Sequence, residues 1–349
     1  MLHVAILGAT GAVGSALAPH LLRSGLLGAA DLLSLVGHGI PSTEQRLLAE
    51  RIDLLDAFDD QRVAIDVVPD IDRFEADIVV VAAGQTVSPE HPTRQDLARV
   101  NRPIFERIAD LCVGRLPHGL FIVVSNPVEL GVSILARRIE RHRVVGVGAQ
   151  QDSLRFARAI ATDLDISRHD VRATVIGEHG QRMVPLWDSI ELLVDDPAYR
   201  KKLQALRQAA GETDLQQRVT SLREETGRLL AEERIADAYE AVRRALPDAR
   251  IFMEPFVSAH CMHSTPQATA NATLQLIAAA LAADRRLVHG QVALEGEAFG
   301  IQGVYGIPIT LSRSGWQVAE AVRLDERLAA VITEGAKAVQ AFIDEVLAA

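Results

Sequence analysis

Six short Val/Ile-rich runs, at His3–Leu7, Leu32–Val36, Val63–Val68, Asp77–Ala82, Leu120–Ser125 and Arg143–Val147, punctuate the chain before residue 150. They do not alternate polar with apolar positions, so each suits a strand covered on both faces. Between them, Ser15–Ser24, Ser42–Ala57 and Leu97–Val113 carry helical periodicity, and Ser42 with Gln45 has the spacing of a capping box. Strand–helix alternation of this kind predicts a doubly wound parallel sheet, with its ligand at the carboxyl ends of the strands.

Beyond residue 150 the pattern changes. Ser153–Asp163 reads as a helix, Val171–Ile176 as a strand, and Asp195–Ala245 as charged amphipathic helix. Thr265–Ala283 is a long apolar helix, Val292–Ala298 and Gly303–Leu311 are strands of a hairpin, and Leu324–Leu347 is a closing helix. The expected architecture is α/β: an N-terminal doubly wound parallel-sheet domain at 1–149, then a C-terminal α+β domain at 150–349. The second carries a helical insertion around 190–250, and the site is expected between the two. A chain of 349 residues is long for a single core, which points the same way.

A net charge of −10 disfavours nucleic acid and anionic membranes as partners, since either requires a basic face. Cys112 and Cys261 are the two cysteines, too few for a disulfide framework, which together with the missing basic n-region suggests a cytoplasmic protein. His260-Cys261-Met262-His263 lacks a second ligand pair at metal-site spacing, so no metal is expected.

Gly8-Ala9-Thr10-Gly11-Ala12-Val13-Gly14 follows the first strand and opens the first helix. Gly8, Gly11 and Gly14 suit a tight turn, close approach to a pyrophosphate, and a helix N-terminus aimed at it. The usual acidic residue at the tip of the second strand, which binds ribose hydroxyls, is replaced by Gly37-His38-Gly39. Gly37 is expected to leave room for a 2′-phosphate, with His38, Ser42, Thr43 and Arg46 as candidate contacts. NAD and NADP both stay open as cofactors.

His179, in Ile176-Gly177-Glu178-His179-Gly180, and Asp152, in Gln151-Asp152-Ser153-Leu154-Arg155, are the candidate acid–base pair. A hydride leaves a secondary alcohol only as its hydroxyl proton is removed, and an imidazole titrating near neutrality suits that task. A carboxylate on the far ring nitrogen fixes the tautomer. Arg155 lies one helical turn after Asp152, and its planar fork matches a substrate carboxylate. Glu178 is expected to point away from His179, and Trp187 and Trp316 to be packing anchors.

These residues bring out a resemblance. Gly146–Phe156 followed by Ile176–Gly180 resembles the lactate/malate dehydrogenase family, as do Ser125-Asn126-Pro127-Val128 and Val184-Pro185-Leu186-Trp187. Ala83-Gly84 with Arg94-Gln95-Asp96-Leu97 and Asn101 resembles that family's mobile loop and following helix; His263-Ser264-Thr265 and Leu294–Gly300 extend the likeness over nearly the whole chain. The resemblance implies a Rossmann domain, a soluble homodimer or homotetramer, and reversible hydride transfer between a nicotinamide cofactor and a small 2-hydroxy/2-oxo acid. It also implies roles. His179 is the proton donor and acceptor, Asp152 its orienting partner, and Arg155 the carboxylate clamp. Arg94 swings in on the loop to polarise the carbonyl, Asn126 sits beside substrate and nicotinamide, and Thr265 lines the substrate pocket. Asn101 and Asn126 join the glycines, Gly37 and His38 as cofactor contacts.

Two departures bear on substrate and architecture. The stretch Gln85–Thr93 carries no Arg or Lys, where malate-specific members place a cation for the second carboxylate, so a lactate-like monocarboxylate is favoured. The alternative is a malate dehydrogenase that uses a non-standard cation, Arg182 or one from the insertion. The segment between His179 and His263 is roughly thirty residues longer than the family pattern, too long for a plain loop, and its charged helix reads as a solvated surface element, with a cap over the active site or a subunit contact as the alternatives. Two other classes are weighed. A short-chain reductase is disfavoured because no Tyr is followed four residues later by Lys. A catalytically inactive nucleotide-binding interaction protein is disfavoured by the joint presence of Arg94, Asp152, Arg155 and His179.

Overall fold

The computed structural model describes residues 1–86, 91, 93–116, 118–262, 264–319 and 324–349, with Arg73, Cys261 and Met262 described by their backbone alone. The expected His263, and Ser88 and Glu90 of the loop, fall outside the described residues.

The first part of the chain runs β1 (His3–Leu7), α1 (Ala12–Ser24), β2 (Leu32–Val36), α2 (Pro41–Ala57), β3 (Ala64–Val68), β4 (Ile78–Val81), α3 (Arg94–Cys112), β5 (Leu120–Val123), α4 (Val128–Ala136) and β6 (Val144–Gly146). The strands pair in the order β3-β2-β1-β4-β5-β6, all parallel. Every residue of β4 and β5 is buried, which is why these strands read as unbroken apolar runs. The strand order reverses between β1 and β4. There the loops after the two strands part and leave a crevice at their carboxyl ends.

The second part runs α5 (Gly148–Leu164), β7 (Val171–Gly177), β8 (Met183–Leu192), α6 (Pro197–Glu212), α7 (Leu215–Ala231), α8 (Ile235–Arg244), α9 (Pro247–Met262), α10 (Pro266–Leu281), β9 (Leu287–Glu295), β10 (Gln302–Ser312), β11 (Gly315–Val318) and α11 (Glu326–Ala348). Antiparallel strands β9, β10, β7 and β8 continue the sheet, joined to β6 through the pair Gly146–Gln291. No helix among the described residues is long and apolar enough to cross a membrane.

Two expectations are corrected. The Ser42–Gln45 capping box does not form: Pro41 begins α2 with Ile40 as its N-cap, so Ser42 already lies inside the helix. Proline at the first helical position has its φ preset and no N–H to leave unpaired, which moves the start forward. The insertion, in turn, is not merely a solvated helix. Leu203 of α6, Val219, Leu222, Leu229 and Leu230 of α7, and Ala238 and Val242 of α8 share one buried cluster with Phe156, Ile160, Ile251, Phe252 and Met253 of α5 and α9. Arg218 of α7 adds a bidentate pair to the buried Asp248 in the first turn of α9, at 2.6 and 2.9 Å. Trp187 Nε1 donates to that same carboxylate at 3.0 Å. The charged faces lie outward, while the inner faces support α9.

Candidate active site

The crevice at the strand reversal continues into a cavity walled by both halves of the chain. Gly11, Ala12 and Val13 of the glycine turn, Ala82, Gly84, Gln85 and Thr86 after β4, and Ser125 and Asn126 after β5 line one end. Gln151, Arg155, His179, Ser264, Thr265 and Thr269 line the other. Gly8 takes φ +79°, and a Cβ there would lie 2.7 Å from the Ala82 carbonyl. A Cβ on Gly14 would strike the Gly8 carbonyl. These two glycines make the turn tight, and Gly11 lies at the cavity itself. The amides of the first turn of α1 have no partners within their helix, and Gly11, Ala12 and Val13 at that turn line the cavity. That is a fitting cradle for a diphosphate and the ring beyond it.

His179 and Asp152 are brought together. His179 Nδ1 lies 2.8 Å from Asp152 Oδ2, which leaves Nε2 as the ring nitrogen available to the cavity. The other oxygen of Asp152 accepts from Arg155 at 3.1 Å, so one buried carboxylate orients both groups. Arg155 also donates to Thr265 Oγ1 at 3.0 Å, and Gln151 Nε2 donates to the same hydroxyl at 3.2 Å. Burial pulls the Arg155 pKa below the ordinary guanidinium value, and the nearby Asp152 opposes that shift. A cation deprived of water in this way gains more from a substrate carboxylate than an exposed one does.

Sequence reasoning missed Gly148. A Cβ on this residue would stand 2.5 Å from His179 Cγ and 2.6 Å from its Cβ, so the start of α5 has to be bare for the imidazole to reach Asp152. Gly148→Ala is expected to lower turnover by about 10²-fold, the cost of a displacement of about 1 Å in a reacting group. Cofactor affinity by titration calorimetry is expected to stay as it was.

The structure does not bring every expected residue to the cavity. Arg94 is not on a loop: it is the first residue of α3, whose start is fixed by a capping box between Thr93 and Asp96. Its guanidinium pairs with Glu129 at 2.6 Å and Glu178 at 3.0 Å, lies over the Phe342 ring, and donates to the His179 carbonyl at 3.3 Å. It thus stands behind His179, off the cavity lining. Asn101 is fully buried; its amide accepts from Gln85 N and donates to the carbonyls of Gln85 and Asn126, so it braces two loops and does not face a cofactor. Gly37 is also corrected. It is buried, and a Cβ there would meet the Pro69 carbonyl at 2.8 Å, so close packing explains the glycine and no space for a phosphate lies over it. His38 is exposed beside Thr43, with Nδ1 3.3 Å from its hydroxyl. Glu178 engages Arg94 and Arg182 and leaves the His179 ring alone, as expected. No group of three or more metal-ligating side chains is gathered among the described residues.

Residues 2–146 match the family model of the lactate/malate dehydrogenase NAD-binding domain. The N-terminal part of the chain is thus similar to the lactate/malate dehydrogenases. It is 31% identical over 211 residues to the malate dehydrogenase of Halobacterium salinarum, covering 57% of this chain and 64% of that protein. It is 30% identical over 182 residues to L-lactate dehydrogenase 2 of Lactococcus lactis, covering 51% and 55%. The likeness to the L-2-hydroxycarboxylate dehydrogenase (NAD(P)(+)) of Methanocaldococcus jannaschii is 33% over 198 residues, covering 53% and 59%. The chain therefore spans less than two thirds of the length of these relatives. The malate dehydrogenase structure from Aeropyrum pernix superposes over 98% of this chain and 97% of that one, with TM-score 0.76 and 21% identity, so the two share a fold from end to end.

Proposed function

We propose that the protein is a 2-hydroxyacid dehydrogenase that exchanges a hydride between NAD(P) and a 2-oxo monocarboxylate with an apolar side chain. The observation that carries the reading is Asp152, whose two oxygens hold the base His179 and the clamp Arg155 at one end of a cavity that begins at the glycine turn. Gly11–Val13 would hold the diphosphate of the cofactor, whose nicotinamide would supply or take the hydride. Arg155 binds the substrate carboxylate through its fork and places the adjacent carbonyl carbon. His179 Nε2 gives its proton to the carbonyl oxygen in reduction and recovers it in oxidation, while Asp152 supports the imidazolium. Asn126 stands where ring and substrate meet, and Thr265 steadies Arg155.

The substrate class is read from the apolar part of the cavity lining. Met183, Ile251, Phe252, Pro255 and Ala259 supply apolar surface there, and among the described lining residues Arg155 and His179 are the cationic or protonatable groups. Arg182, the alternative cation for a second carboxylate, pairs with Glu178 at 2.6 Å and lines a different groove. A second carboxylate closed against this wall would be left unpaired, at a cost of several kcal/mol. Support for NADP comes from Arg46, which donates to the Thr10 carbonyl at 3.0 Å and so stands beside the glycine turn without a carboxylate at the tip of β2.

Initial rates with NADH and with NADPH against a panel of 2-oxo acids test this. Apolar monocarboxylates are expected to exceed oxaloacetate in kcat/KM, with NADPH used at least comparably to NADH. A clear preference for oxaloacetate would refute the substrate class, and a strong preference for NADH the cofactor reading.

A further inference from the structure

We propose that Glu129 is a positioning residue for proton transfer: its buried carboxylate fixes the main chain of His179 and holds Arg94 behind it. The proposal rests on the reading of His179 as the proton donor and acceptor.

Glu129 lies in the first turn of α4 and exposes no surface to solvent. Its Oε1 accepts the His179 backbone N–H at 2.8 Å, and its Oε2 takes the Arg94 guanidinium at 2.6 Å. Neither substrate binding nor hydride transfer, as derived above, uses this group. A carboxylate so deeply buried is costly unless its oxygens are satisfied, and these two bonds satisfy them.

The need for such an anchor lies in the chain around the base. His179 sits between Gly177 and Gly180, which take φ +110° and +77°. Glycines at such angles do not hold the peptide between them by their own sterics. Asp152 of α5 secures the ring through Nδ1, yet the ring's place in the cavity also depends on where its backbone stands. Glu129 supplies that second point of attachment from a different helix. The two carboxylates together hold His179 at its main chain and at its ring nitrogen Nδ1. Arg94 balances the charge of Glu129.

Glu129→Gln tests the idea with almost no change of volume. Its amide has one acceptor atom and cannot serve both His179 N–H and Arg94. Turnover is expected to fall about ten- to a hundredfold, the range of a lost charge-assisted hydrogen bond, with cofactor affinity unchanged. In a His179→Asn background, measured by single turnover, the same replacement is expected to alter the residual rate by no more than about twofold. Wild-type turnover in Glu129→Gln, or an equal loss in both backgrounds, would overturn the proposal. His179→Asn with wild-type turnover would instead refute the reading of the base. A further arm needs no substitution: the His179 amide hydrogen of the unaltered protein is expected to be protected from solvent exchange, and exchange at the rate of an open loop would overturn the proposal.

Discussion

His179→Asn is expected to lower turnover by about 10²–10⁴-fold, the usual contribution of a positioned general acid–base, while the affinity for NADH or NADPH changes little. The effect belongs to kcat because the imidazole acts only as the proton moves. Asparagine retains a polar side chain of smaller size, so the packing against Gly148 is not strained. Asp152→Asn is expected to behave differently. Its two oxygens serve His179 at 2.8 Å and Arg155 at 3.1 Å, and an amide can accept from only one of them. Turnover is therefore expected to fall and KM to rise together. Single-turnover measurement with saturating cofactor separates chemistry from product release. Retention of wild-type turnover by His179→Asn, where chemistry limits the rate, would remove it from the role of base.

Arg155→Lys is expected to raise KM for every 2-oxo acid by about 10- to 100-fold, since charge-assisted hydrogen bonds contribute roughly 1.5–3 kcal/mol each and an ammonium cannot reproduce the fork. Arg155 bridges Asp152 and Thr265 while it faces the cavity. A lysine would have to choose among the three. Uniformity across substrates is the decisive feature, because the carboxylate is common to all of them and the side chain is not. A loss confined to one substrate would mean that Arg155 reads the side chain, and an unchanged KM would exclude the clamp.

The parallel sheet was legible because its strands are buried on both faces, so that Ile78–Val81 and Leu120–Val123 are written as continuous apolar runs. The convergence of His179 and Arg155 on Asp152 was legible because Asp152 and Arg155 stand one turn apart on α5 and His179 follows β7 in a matching motif. Arg94 was misplaced, although a signal was present: Thr93 and Asp96 stand three apart, the spacing that starts a helix, and they put Arg94 in its first turn. Glycine was the harder case. Gly37 and Gly148 look alike in sequence, yet one is bare because Pro69 is close and the other because His179 is. Which neighbour a missing side chain makes way for is a matter of tertiary packing. The apolar wall was hidden for the same reason: Ile251, Phe252 and Pro255 read as ordinary core positions until α9 is seen to border both a cavity and a core.

That double membership of α9 gives the insertion an indirect hold on selectivity. Leu222 of α7 and Val242 of α8 are not among the residues lining the catalytic cavity, yet they belong to the buried cluster that contains Ile251 and Phe252. Close-packed interiors transmit changes of volume instead of absorbing them. The shape of the apolar wall thus depends in part on residues that do not themselves line the cavity.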